Sequence, residues 1–130
     1  MRIYLDAAII IYLVEEKEPF FDKVAVRLED TDLELIASEM GRLETRVKPL
    51  RERGNQVLAI YDQFFADRVN DVLDITREVI DKATELRAKY NFKTPDSIHR
   101  AAAIDSGCDI FLTNDHRLDR CTEIKIEILA

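Results

Sequence analysis

Residues 2–14 have the sequence RIYLDAAIIIYLV, in which Asp6 separates a short β-rich run from a longer apolar segment. Residues 2–5 predict a strand, and residues 7–14 are apolar nearly all round, as in a helix that is packed on both sides. A strand that leads directly into a buried helix indicates an α/β fold.

The same alternation of short strands and helices continues along the 130 residues of the chain. Helical stretches are predicted to begin near Pro19, Ser38, Gly54, Thr76 and Thr94. Further strands are predicted at residues 33–37, 72–75, 109–112 and 124–129. This order predicts an α/β sandwich around a mainly parallel sheet, and the length fits a single domain over residues 1–130.

Two of these helices have recognisable start signals. Ser38 is a predicted N-cap, and Pro49 predicts a kink or interruption near the far end of the helix that follows. Thr94 and Pro95 supply an N-cap and a proline at the first helical position of a later helix. The predicted buried stripe of the helix after Ser38 consists of Met40, Leu43, Val47 and Leu50.

The composition, 47% hydrophobic and 35% charged, is typical of a soluble globular protein. A net charge of −7 argues against nucleic-acid binding through a general positive surface.

Two cysteines do not make a disulfide framework, and an intracellular setting is the simpler interpretation. The apolar start is shorter than the roughly 20 residues that span a bilayer, so we expect no membrane segment and a cytoplasmic protein.

Two aspartates lie where the strands of a parallel sheet are predicted to end. Asp6 directly follows the first strand, and Asp115 lies three residues after the strand at 109–112. Ligands bind beyond the carboxyl ends of such strands, so the rule favours a functional role for both. Asp115 also fits an ordinary polar turn, whereas Asp6 has no neighbouring cation to explain it.

Two further acids have both a functional and a structural explanation. Glu44 borders the predicted buried stripe, where a carboxylate needs a cation, but it can equally pair with Lys48 at i+4. Asp96 lies in the first turn of a helix, which the helix dipole favours, and it can pair with Arg100. Both explanations remain open from the residues alone.

Three other residues are weaker candidates for the same site. Asp119 lies four residues after Asp115 and is either a fifth ligand or a surface residue. His99 and His116 are either ligands or general bases, but both lie among charged residues, so we favour solvent-facing histidines. No serine–histidine–aspartate arrangement or glycine-rich phosphate loop competes for the site.

If Asp6, Glu44, Asp96 and Asp115 converge, their chemistry indicates a metal site. Four carboxylates a few ångströms apart repel one another, and divalent cations relieve that repulsion. An oxygen-only set suits Mg²⁺ or Mn²⁺ better than zinc. Such ions activate water and stabilise the leaving oxygen in phosphodiester hydrolysis. The four acids would contribute −4 of the net −7.

The chain resembles the PIN-domain nucleases, in particular the VapC toxins of VapBC toxin–antitoxin pairs. The matching stretches are residues 3–6 (IYLD), 38–44 (SEMGRLE), 93–99 (KTPDSIH) and 111–115 (FLTND). Each is weak alone, but together they cover the chain almost end to end. The resemblance implies a three-layer α/β/α fold, cleavage of RNA with Mg²⁺ or Mn²⁺, a homodimer, and a small antitoxin that blocks the site.

The resemblance also assigns roles to residues. It implies that the four acids bind the metal, with Thr113 and Ser97 in supporting roles. Arg42 and Arg46 are either RNA-phosphate contacts or part of a solvated helix face, as are the nearby Lys48, Arg51 and Arg53. The aromatic residues proposed for an antitoxin or dimer contact, with core packing as the alternative, are Tyr12, Phe20, Phe21, Tyr61, Phe64 and Phe65.

One position departs from the family pattern. Relatives carry Asn or Ser two positions after the first aspartate, and this chain has Ala8. A hydrogen bond that tunes the metal site is therefore expected to be missing, which leaves a non-catalytic PIN-like scaffold as an alternative. An RNA-processing nuclease outside a toxin–antitoxin pair is another. Ala8 also argues against a phosphatase of the haloacid dehalogenase type, and a receiver-like domain has only Asp74 and Lys125 as loose candidates.

Overall fold

The computed structural model describes residues 1–117 and 120–129 of the chain. Within these ranges five strands alternate with six helices. The strands are β1 (Arg2–Leu5), β2 (Glu34–Ser38), β3 (Asp71–Leu73), β4 (Ile110–Thr113) and β5 (Lys125–Ile128). The helices are α1 (Ala7–Val14), α2 (Phe20–Arg27), α3 (Glu39–Arg51), α4 (Asn55–Asp67), α5 (Arg77–Tyr90) and α6 (Thr94–Asp105).

The five strands form one sheet in the order β3-β2-β1-β4-β5, and every neighbouring pair is parallel. The prediction of a mainly parallel sheet is confirmed. β1 lies at the centre, with Tyr4 opposite Ile36 on one side and Phe111 on the other. The strand order reverses between β1 and β4, which is where ligands bind in sheets of this kind.

Side chains alternate between the two faces of the central strand, and each face has its own core. Tyr4 packs with Phe111 and with residues of α5 and α6, such as Leu86. Ile3 and Leu5 point to the other face and pack with residues of α1, α2 and α4. Helices therefore cover both faces of the sheet, and the implied three-layer α/β/α arrangement is confirmed.

The buried face of α3 differs from the prediction. The predicted stripe was wrong for Leu43, Val47 and Leu50, which are exposed. The buried residues of this helix are instead Gly41, Thr45 and Pro49, at the same helical period. Both faces follow the helical period, so sequence periodicity does not distinguish them.

Pro49 does not interrupt α3, which continues to Arg51. A proline removes one helical hydrogen bond, and this loss matters least in the last turn of a helix. Ser38 is the N-cap as predicted, but its side chain makes no capping bond. Its hydroxyl instead contacts the hydroxyl of Tyr4 at 2.7 Å, inside the sheet layer.

The ends of α5 agree with the prediction, whereas α6 begins slightly earlier than predicted. Thr76 caps α5 by accepting a hydrogen bond from the Val79 amide at 3.2 Å, and the helix ends at Tyr90. The N-cap of α6 is Lys93 and not Thr94, because Thr94 already has helical geometry.

Among residues 1–117 and 120–129, no helix has the length and apolar character needed to cross a membrane.

Candidate active site

The four predicted acids line one cleft of about 470 Å³ at the carboxyl ends of β1 and β4. Asp6 follows β1, Asp115 follows β4, Glu44 comes from α3, and Asp96 comes from the first turn of α6. Four elements distant in sequence therefore meet at the strand-order reversal. The other residues that line the cleft are Ala7, Ala8, Tyr12, His99, Thr113, Asn114 and His116.

Asp6 is held on both carboxylate oxygens. Its Oδ1 accepts a hydrogen bond from the Ala7 amide at 2.9 Å, so the side chain caps α1. Its Oδ2 accepts one from the Thr113 hydroxyl at 2.7 Å. The same hydroxyl accepts from the Asp115 amide at 3.1 Å, and Thr113 thereby links the ends of β1 and β4.

Glu44 contacts the ring of His99, and the alternative pairing with Lys48 is not seen in the described part of the chain. His99 Nε2 is hydrogen-bonded to Glu44 Oε1 and lies 4.0 Å from Asp6 Oδ1. The interpretation of His99 as solvent-facing was wrong, because the residue is only 1% exposed. Its neighbours in sequence are charged, but α6 is buried on all sides over residues 97–103.

Asp96 is half-buried, and its carboxylate has no hydrogen-bond donor within reach among the described residues. Burial raises the pKa of Asp96, and the nearby charges of Asp6 and Asp115 raise it further. Arg100 opposes this effect and lowers the pKa of Asp96. The predicted pairing with Arg100 takes a different form, because Nη1 donates to the backbone carbonyl of Asp96 at 3.1 Å.

Arg100 is a fully buried cation beside this acid. Its guanidinium carbon lies 4.5 Å from the ring centroid of Phe111 and 5.0 Å from that of Phe92. Nε and Nη2 have no acceptor among the described residues. Cation–π contacts and the surrounding negative charge of the cleft therefore stabilise it in place of a direct ion pair.

Asp115 is engaged by Arg117. The guanidinium donates to both carboxylate oxygens, from Nε to Oδ1 at 3.0 Å and from Nη2 to Oδ2 at 2.9 Å. These bonds lower the pKa of Asp115. The Arg117 side chain is 74% exposed, so solvent screens the pair and the arginine can leave the carboxylate at little cost.

A family model described as PIN domain matches residues 3–124 of the chain. This match spans nearly all of the sequence and includes all four acids. The chain belongs to the PIN domain family. The resemblance seen in the sequence motifs is thus confirmed, and no curated protein matches at a significant level.

Solved structures with the same fold include several toxin–antitoxin complexes. VapBC2 from Rickettsia felis, bound to a promoter DNA fragment, matches with a TM-score of 0.81 at 16% identity, covering 98% of both chains. DNA-bound VapBC from Salmonella typhimurium gives 0.79 at 17% identity, covering 100% of this chain and 99% of the other. VapC20 from Mycobacterium tuberculosis, described as a sarcin–ricin loop cleaving toxin, gives 0.74 at 14%, covering 95% and 98%.

Of the remaining predicted residues of this PIN domain, Ser97, Arg42 and Arg46 lie outside the cleft lining. The hydroxyl of Ser97 is buried and donates to the Lys93 carbonyl at 3.1 Å. Arg42 pairs with Glu39 at 2.6 Å, and Arg46 pairs with Asp62 at 2.8 Å. His116 is exposed at the cleft edge, and the candidate Asp119 lies outside the described residues.

The aromatic residues were interpreted either as a contact with an antitoxin or second subunit or as ordinary core packing. Tyr61, Phe64 and Phe65 are buried in the core, so ordinary packing explains them. Tyr12 and Phe20 are half-buried and stack at 4.5 Å between ring centroids. The Tyr12 hydroxyl accepts from the Asn114 amide at 3.1 Å, which joins this pair to the cleft.

The donor set of the PIN cleft fits a hard divalent cation. The oxygen atoms that would bind a cation are those of the four carboxylates, and Asn114 also lines the cleft. In the described ranges, no three acidic, histidine or cysteine side chains already converge to hold one ion. Asp115 would have to leave Arg117 to reach a cation, whereas Asp6, Glu44 and Asp96 already line the space.

The sequence did not predict three features in and beside the cleft. They are the burial of His99, the burial of Arg100, and the hydrogen bond from Asn114 to the Tyr12 hydroxyl at the cleft wall. One signal was present, since Ala101, Ala102 and Ala103 follow directly. Three consecutive small residues indicate a helix packed closely on more than one side, and such a helix buries polar neighbours as well.

Proposed function

We propose that this PIN domain is a metal-dependent endoribonuclease that hydrolyses RNA phosphodiester bonds. The observation that carries the proposal is that Asp6, Glu44, Asp96 and Asp115 line one cleft at the strand-order reversal. The proposed cofactor is Mg²⁺ or Mn²⁺. The description of one structural neighbour as a toxin that cleaves the sarcin–ricin loop supports RNA as the substrate class.

The proposed ion would be held by the carboxylates of Asp6, Glu44 and Asp96, with Asp115 joining after it leaves Arg117. When bound, such a cation supplies an activated water and stabilises charge on phosphate oxygens. The residues of the chain position the ligands. Thr113 fixes Asp6 through a 2.7 Å bond, and the Ala7 amide fixes its other oxygen. This preorganisation lowers the cost of assembling the site.

RNA cleavage with purified protein tests the proposal. We expect cleavage of a fluorogenic RNA with Mn²⁺ or Mg²⁺, and its loss with EDTA. Asp6→Asn and Asp96→Asn should abolish cleavage, whereas Asp81→Asn, on the exposed side of α5, is the matched control and should retain it. Activity that survives both cleft substitutions contradicts the mechanism.

A non-catalytic scaffold is the second candidate, and two observations favour it. Ala8 supplies no hydrogen bond at the cleft wall, and Asp115 is occupied by Arg117. If calorimetry detects Mn²⁺ binding but no RNA is cleaved, this candidate replaces the nuclease. RNA cleavage that becomes faster in Ala8→Asn supports the nuclease. It also shows that the hydrogen bond missing from the cleft wall is the one that Ala8 does not make.

We further propose that the protein acts as the toxin of a type II toxin–antitoxin pair, with a VapB-like antitoxin as partner and a homodimer as its own assembly. The VapBC complexes among its structural neighbours support this partner class. The apolar side chains left exposed on α3 and α4 supply a surface for protein contacts. They are Leu43, Val47, Leu50, Val57 and Ile60.

Growth arrest on expression, relieved by Asp6→Asn, is the expected result for a toxin. An RNA-processing nuclease outside such a pair would cleave RNA in vitro without arresting growth. Light scattering after size exclusion measures the homodimer, and Leu50→Glu should disrupt a dimer formed through the exposed α3 surface. The apolar Leu50 is 67% exposed, so the substitution does not disturb the core.

A further inference from the structure

A chain of hydrogen bonds runs from the sheet layer to the cleft through four residues. Ser38 Oγ and the Tyr4 hydroxyl are 2.7 Å apart, and the Tyr4 hydroxyl lies 2.7 Å from His99 Nδ1. His99 Nε2 then contacts Glu44 Oε1. Ser38, Tyr4 and His99 are at most 1% exposed, so water does not compete for these bonds.

The direction of the last bond follows from its partners. A carboxylate oxygen accepts hydrogen bonds, so the proton between the ring and Glu44 resides on Nε2. The other ring nitrogen, Nδ1, faces the Tyr4 hydroxyl, and this contact fixes the plane of the imidazole. Burial raises the pKa of Tyr4, so its hydroxyl keeps a proton to share within the chain.

The Nε2 atom of His99 also lies 4.0 Å from Asp6 Oδ1. One N–H group therefore stands between two carboxylates on the cleft wall, where it reduces their mutual repulsion. Glu44 is only half-buried and its side chain has several rotatable bonds, so without a fixed donor it would sample other rotamers. The bond to His99 engages Oε1 and leaves Oε2 for a ligand in the cleft.

We propose that His99 is a positioning residue, whose Nε2–H holds Glu44 at the cleft wall while Tyr4 and Ser38 fix the ring. Its effect on cation binding rests on the proposed metal-dependent function. The hydrogen bond itself does not, because it is present in the protein without any ion. Groups that orient metal ligands in this way typically change metal affinity 10–100-fold when removed.

The hydrogen bond is tested first by ¹⁵N NMR of histidine side chains in metal-free protein. The chain has two histidines, and His116→Asn assigns the signals of the other. We expect a proton on His99 Nε2 that exchanges slowly with solvent, and we expect this slow exchange to be lost in Glu44→Ala. An unprotonated Nε2, or a proton that exchanges equally fast in both proteins, overturns the proposal whether or not the protein is a nuclease.

Calorimetry with Mn²⁺ tests the consequence for the site. His99→Leu should weaken binding by about 10–100-fold. His99→Gln should recover most of the affinity, because its amide N–H lies near the position of Nε2. The double variant His99→Leu/Glu44→Gln should bind Mn²⁺ no more weakly than Glu44→Gln alone, because His99 acts through Glu44. Unchanged affinity in a folded His99→Leu protein contradicts positioning, and so does failure of His99→Gln to exceed His99→Leu.

The two proposals fail in different ways. Absence of Mn²⁺ binding by the unaltered protein contradicts the proposed metal-dependent function, and the NMR measurement then still decides the role of His99. Mn²⁺ binding that is indifferent to His99 contradicts only the positioning role. His99→Gln keeps a polar group in the buried position, so the test survives if the leucine variant does not fold.

Discussion

Replacing Tyr4 with phenylalanine isolates the energy of the buried hydrogen-bond chain. The change removes a hydroxyl that makes two bonds of 2.7 Å, and it leaves the ring stacked on Phe111 at 5.1 Å between centroids. Ser38 and His99 are both buried and each loses a partner, at a cost of about 1–3 kcal/mol per group. The variant no longer has to bury the Tyr4 hydroxyl, and this offsets the loss of stability by roughly 1–3 kcal/mol. We expect a net loss of about 2 kcal/mol.

Urea unfolding followed by circular dichroism measures this loss, with an unchanged m-value as the sign that both end states are the same. For a domain of this size the melting temperature should fall by about 8 °C. Tyr61→Phe is the matched control, because among the described residues the Tyr61 hydroxyl bonds only to Glu15, whose side chain is 31% exposed. Its loss should stay below about 1 kcal/mol, since water replaces the bond. Equal losses in the two variants would refute the reasoning.

Three further outcomes follow from the cleft. In EDTA, Asp96→Asn should raise the free energy of unfolding at pH 7. The pKa of Asp96 is raised in the folded state, so the folded protein favours the protonated acid, and this stabilisation is full below pH 3.8 and is lost as pH rises. Urea titrations should therefore show that the gain from Asp96→Asn vanishes at low pH. Thr113→Val should destabilise by about 1.5–3 kcal/mol in thermal unfolding, whereas Thr113→Ser keeps the bond to Asp6 and should not. Arg100→Met should lower stability by about 1–3 kcal/mol in the same assay, because it removes the hydrogen bond to the Asp96 carbonyl and the positive charge that offsets the burial of the Asp96 carboxylate.

The alternation of strands and helices was predictable because each element carries its own local pattern. Residues 2–5 and 7–14 are short, strongly apolar segments, and the structure has β1 and α1 at these positions. The orientation of α3 was not predictable in the same way. Leu43 and Leu50 follow the helical period as well as Gly41 and Thr45 do, and only the packing of neighbouring elements decides which face is buried.

The candidate site was predictable to the extent that topology determines it. Asp6 and Asp115 follow strands that are neighbours in a parallel sheet, so the strand-end rule alone predicts that they share a cleft. His99 was misplaced because its burial depends on α3, α6 and β1 meeting around it. A polar residue in a helix covered on all sides gives no periodic signal, and its partners Tyr4 and Glu44 lie 95 and 55 residues away.

Among the four acids of the cleft, Asp96 is the one whose carboxylate accepts no hydrogen bond from the described residues. Within the described residues, each of the other three acids has a side-chain donor: Thr113 for Asp6, His99 for Glu44 and Arg117 for Asp115. Arg100 and, to a smaller extent, His99 offset the burial of Asp96 without a hydrogen bond to its carboxylate, and the pKa of Asp96 is raised. A carboxylate without such a donor gains most from a cation, because no existing bond has to break. The acid that sequence explained adequately as a helix-start residue is therefore the one most available to a ligand.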